Sequence, residues 1–186
     1  MTKTIERSEI LDYVSYEERR EALRASAMRA KDERRIHVGQ YLTFLCENRE
    51  TIRYQIQEMT RAERMVKEAD IEHEIATYNE LLGTGGDLGC TLLIEIGDPA
   101  ERALKLARWL ALPRHLYAQL AHGEKVRPTF DERQLGDTRL SAVQYLKFKV
   151  GGRVPLALGC DLDDPEVRAE AILTADQRRA LASDLA

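Results

Sequence analysis

Between Arg35 and Cys160 the chain returns again and again to short runs in which apolar and polar residues alternate, each bounded by glycine or proline. A period of two belongs to extended strands, whose successive side chains point to opposite faces. The first run, Arg35 to Cys46, sets Leu42, Phe44 and Cys46 on one face and Tyr41, Thr43 and Leu45 on the other. Gly39 falls where a hairpin turn or bulge is needed. A second run, Leu88 to Ile96, alternates Cys90, Leu92, Ile94 and Ile96 with Thr91, Leu93 and Glu95. Further runs are Leu116 to Ala121, Val126 to Phe130 across His122-Gly123, Val143 to Val150, and Val154 to Cys160 across Gly151-Gly152. Strands that follow one another through short turns favour antiparallel pairing, so an antiparallel sheet of five or six strands is expected.

Helical signals lie before and after these runs. Ser15 with Glu18 makes a capping box and predicts a helix to about Arg34. Asn48 predicts a cap for a helix reaching about Lys67, Asp70 a cap for a second helix from Ile71 to Leu82, and Gly83 its end. Asp98-Pro99 with Glu101 predicts a helix that stops before Pro113, and Thr174 with Gln177 predicts a final one. The expectation is a single α+β domain over residues 1–186, with the helices mainly on one face of the sheet.

Composition narrows the function classes. Hydrophobic residues make up 44% and charged residues 32%, a globular balance, and the formal charge of -4 supplies no overall basic field for nucleic acid or an anionic membrane. No apolar run approaches a bilayer-spanning length, and the N-terminal stretch lacks the apolar segment of a leader, so a cytoplasmic location is expected. Cys46, Cys90 and Cys160 are odd in number, far apart in sequence and in no C-x-x-C pair, and read as buried reduced thiols. The phosphate-loop, nucleophile-elbow and zinc-helix signatures are missing.

Chemistry concentrates between Glu47 and Asn79. Arg53, Gln57, Arg61 and Arg64 recur at three- and four-residue spacing, which gathers three guanidinium groups on one side of a helix. Such a row suits a carboxylate or phosphate, and it equally suits ion pairs with Glu50, Glu58 and Glu63 on a solvated helix. Asp70 and His73 have the spacing of a carboxylate–histidine metal pair, but one copy falls short of a di-iron centre. The mononuclear alternative is iron or zinc on His37 and His73 with Glu58 or Glu74.

The string His37-Val38-Gly39, then Glu47-Asn48-Arg49, Gln55-Ile56-Gln57-Glu58-Met59 with Arg61, Glu63 and Arg64, then His73-Glu74-Ile75 and Tyr78-Asn79, resembles the bacterial family called domain of unknown function 3501. Ser141-Ala142-Val143-Gln144-Tyr145 is similar too. The resemblance implies no activity and no catalytic residues. It implies a setting, because members tend to be encoded beside rubrerythrin-like proteins and iron–sulfur oxidoreductases. Those are the partners it suggests, in redox or peroxide defence. It also marks a polar motif at Arg49, Glu58, Arg61, Arg64, His73, Glu74 and Asn79.

Three function hypotheses follow. The first is an accessory factor of a redox or oxidative-stress system that binds an anionic ligand, metal or redox partner through the polar helical pair, with Arg49, Arg61, Arg64 and Asn79 as ligand-binding candidates. The second is a small enzyme in which Glu58 or Glu74 acts as a general base beside His73, with arginines holding an anionic substrate. The third is a non-catalytic homodimeric assembly module.

Overall fold

Two antiparallel sheets share the larger of two apolar cores. The computed structural model describes residues 4–186, the side chain of Arg133 apart, so the first three residues of the stretch read for a leader lie outside the described residues. A helix α1 (Tyr13–Asp32) precedes strands β1 (Arg35–Val38) and β2 (Leu42–Cys46). The helical pair α2 (Arg49–Ala62) and α3 (Glu68–Asn79) follows, then β3 (Leu88–Ile94), α4 (Pro99–Arg108) and the single turn α5 (Leu112–His115). Beyond them lie β4 (Leu116–Gln119), β5 (Lys125–Val126), β6 (Pro128–Thr129), β7 (Val143–Phe148), β8 (Ala157–Cys160), β9 (Ala169–Ile172) and α6 (Ala175–Leu185).

The five-stranded sheet runs β1-β2-β3-β7-β6 and the four-stranded sheet β5-β4-β8-β9, with every pair antiparallel. The α+β class and the antiparallel pairing are therefore as the alternation predicts. The strand-like runs divide between two sheets, because Leu116–Gln119 pairs with Ala157–Cys160 and not with its neighbours in the first sheet. Gly39, at φ +63°, turns β1 into β2 in the left-handed region that glycine adopts at no steric cost. Phe44, Cys46, Cys90, Leu92 and Phe148 from the first sheet meet Leu116, Ala118 and Leu158 from the second. Leu106 of α4 and Leu181 and Leu185 of α6 join the same core. β9 gives a weak strand signal because three of its four residues, Ala169, Glu170 and Ala171, are of types depleted in strands.

On its other face the five-stranded sheet buries Thr43, Leu45 and Thr91. Here the Glu47 carboxylate accepts from Thr51 of α2 at 2.5 Å and from Thr91 of β3 at 2.6 Å, tying helix to sheet. A smaller core forms among the helices from Ile52, Ile56, Ile71, Ile75 and Leu82, closed by Ile5 and Ile10 of the N-terminal segment. Caps match the sequence at Asn48, Asp98 and Thr174. They differ at α1, where Asp12 and not Ser15 accepts from the free amides, and at α3, which starts at Glu68 without a side-chain cap. No helix among the described residues is long and apolar enough to cross a membrane.

Candidate functional site

The polar motif of α2 and α3 divides by what its side chains touch. Asn79 accepts from the Ile5 amide at 2.7 Å and donates to the Ile5 carbonyl at 2.9 Å. Gln57, 3% exposed, does the same for Leu11, at 2.7 and 3.1 Å. Each amide side chain imitates a strand partner and satisfies both backbone groups of one residue, so the N-terminal segment is strapped across the two helices. Arg49 belongs to the same strap, donating to Glu9 at 2.6 Å and to the Thr4 carbonyl.

Glu58 faces α1. It accepts from Arg20 through both carboxylate oxygens, at 2.8 and 2.9 Å, and from the buried Tyr16 hydroxyl at 2.8 Å. The Arg20 hydrogen bonds hold its carboxyl below the ordinary glutamate range, against the opposing effect of burial, and Tyr16 adds to the lowering. A carboxylate so held is a weak base. Arg61 reaches Glu17 at 3.5 Å and Glu58 at 3.7 Å. Arg64 sits past the end of α2 at φ +48°, in the position where a helix usually places glycine, and is exposed.

His73 is exposed on α3, and His37 on β1 shares a 2.9 Å hydrogen bond with Thr43. Among the described residues no group of three or more His, Cys, Asp and Glu side chains is placed to hold a metal ion. Arg49 borders one cavity, Arg61 and Arg64 a second, and Glu74 a third.

That third cavity is a groove of about 670 Å³ between α3 and the outer face of β7. Its volume lies within the range of small-molecule sites. Met59, Leu81, Phe130 and Leu146 give it an apolar lining, and Tyr78 and Tyr145 line it as well. Burial holds the Tyr78 phenol above its ordinary value; Gln55 opposes this, while Glu74 and Tyr145 add to it. The Gln134 side chain bonds both backbone groups of Tyr145, at 2.7 and 3.3 Å, and continues the sheet where β6 stops. Glu74 is the one residue of the polar motif that lines this groove. Sequence reasoning missed the groove, because Phe130, Gln134, Tyr145 and Lys147 come from stretches distant from Tyr78 and Glu74 that the β3–β7 pairing brings beside α3.

A second juxtaposition also escapes the sequence. Cys46 lies directly across from Cys90 in the β2–β3 ladder, both thiols free and buried in the inter-sheet core. Burial raises the Cys90 thiol well above its ordinary value, and Cys46 beside it adds to the rise. A thiol so raised and buried is unreactive at neutral pH. The period-two reading gives the face of each cysteine, but not the register that pairs them.

Taken together, the strap, the sheets and the groove define an α+β protein that commits Arg49, Glu58 and Asn79 of its charged helical pair to internal bonding and carries an amphipathic groove beside it. The chain belongs to the family described as protein of unknown function (DUF3501), which it matches over residues 4–185. It is similar to a novel protein of unknown function from Burkholderia pseudomallei, known from a crystal structure. The identity is 31%, covering 98% of this chain and 100% of that one, with a TM-score of 0.88. Among proteins with curated descriptions, none matches the chain.

Proposed function

We propose that this protein is an accessory binding protein that holds a small organic ligand in the groove between α3 and β7. The observation that carries the reading is the groove itself: about 670 Å³, apolar within, with polar side chains at its rim and walls from two helices and a sheet edge. It keeps the polar helical pair as the binding element and moves the ligand from the arginine row to the opposite side of α3. The engagement of Glu58 by Arg20 and Tyr16 favours binding over acid–base chemistry at that residue. The setting in a redox or oxidative-stress system rests on the family resemblance alone.

Fragment screening by amide-resolved NMR tests this. Shifts are expected to cluster at residues 74–81, 129–134 and 145–147. Shifts centred on Arg49, Arg61 and His73 would return the site to the arginine face. An absence of shifts, with self-association at millimolar protein, would favour the homodimeric module. Zinc and iron(II) in the same series test the metal reading of His37, His73 and Glu74.

A further inference from the structure

The groove carries opposite charges on facing walls. Glu74 and Glu80 stand on the α3 side and Lys147 on the β7 side, where Asp131 also lines the groove and is already engaged within the chain. Glu74 and Lys147 are half-buried, yet neither these two nor Glu80 forms an ion pair among the described residues. This contrasts with the charged clusters elsewhere, where Glu58, Asp161 and Glu124 each hold an arginine bidentately. Tyr78 of the α3 wall and Tyr145 of the β7 wall line the same groove, as does Phe130.

We infer that the groove takes an amphipathic zwitterion whose ammonium and carboxylate are separated by an apolar body, as in a short apolar peptide. This deepens the binding reading above and rests on it. The ammonium would face Glu74 and Glu80 and the tyrosine rings, which attract cations through their π faces. The carboxylate would face Lys147, and the apolar body would cover Phe130 and Met59, which are half-buried. Glu74 and Lys147 form no ion pair with each other, so a single ligand carrying both charges can serve both walls.

The probes are the dipeptide phenylalanyl-leucine, its C-terminal amide and its N-acetyl derivative, which share one body and differ by one charge each. Titration followed by NMR on the full chain is expected to give the dipeptide the lowest Kd, by about fivefold over each derivative, as half-exposed ion pairs allow. Lys147→Met should erase the advantage over the amide, and Glu74→Gln with Glu80→Gln the advantage over the N-acetyl form. Equal binding of all three would overturn the zwitterion and leave the groove an apolar site. Tighter binding of the amide or of the N-acetyl form would overturn it in favour of a cation or an anion. Failure of all three, with other fragments still shifting the groove, sinks the zwitterion alone. Failure of every fragment sinks the binding reading too.

Discussion

The strap and the groove flank the same helix and use similar residues to different ends. On the strap side Asn79, with Gln57 and Arg49 of α2, is matched atom for atom by backbone and carboxylate partners. On the groove side Glu74 and, just beyond the helix, Glu80 face Lys147 across open space. A helix face rich in charge and amide is thus no sign of a site in itself. What separates structure from function here is whether folding has already supplied the partners.

The sharpest way to break that contrast is to remove the strap. Gln57→Leu with Asn79→Leu leaves the amides and carbonyls of Ile5 and Leu11 without their partners. The pair should cost about 2–4 kcal/mol, since four partly buried backbone groups lose a hydrogen bond. Urea unfolding measures the loss, and hydrogen exchange should show the Ile5 and Leu11 amides opening first. Stability unchanged within error would make the amide pairs incidental.

Glu58 comes next. Glu58→Ala leaves the Tyr16 hydroxyl, at 0% exposure, without an acceptor, for about 2 kcal/mol. Its folded pKa lies below the ordinary 4.5, so the stability it lends is present above that value and drains away as pH falls through the folded one. The wild-type advantage over Glu58→Ala should therefore shrink in acid. Glu47 runs the other way. Burial lifts its pKa, with Thr51 and Thr91 opposing, so the folded state holds its proton longer than the unfolded chain does. Its contribution falls as pH rises from 4.5 through that lifted value. Glu47→Gln removes the buried charge and keeps a carbonyl acceptor for one threonine, while the other hydroxyl must turn to accept from the amide; it should gain about 1 kcal/mol on the alkaline side and nothing in acid. Melting curves across pH separate the two carboxylates by the sign of their slopes.

How much of this was legible in the chain follows from the range of each interaction. Caps at Asn48, Asp98 and Thr174 are local, and the residues name them. Alternation in Leu42–Cys46 divided the residues of β2 between its two faces, both of them buried, because a side-chain period is written in consecutive residues. The second sheet and the Cys46–Cys90 pairing depend on register between distant strands, which alternation leaves open. Arg49, Glu58 and Asn79 stood out as polar residues at helical spacing. Their partners, Glu9, Arg20 and Ile5, lie 40, 38 and 74 residues away in segments with no pattern that points back to α2 or α3.

The smallest effects on stability should come from the groove, and that is what makes them informative. Tyr145 is 40% exposed and Glu74 half-buried without an ion-pair partner, so Tyr145→Ala and Glu74→Gln remove little that the fold uses. Each should shift stability by no more than about 0.5 kcal/mol, as surface substitutions away from caps and cores do. Fragment affinity should nevertheless fall with Tyr145→Ala, because the ring is part of the wall the ligand covers. A large loss of stability with either change would mean that the groove residues are structural after all, and the distinction between the two sides of α3 would collapse. A small loss, together with weakened binding, is the pattern of side chains whose partner arrives from outside the chain.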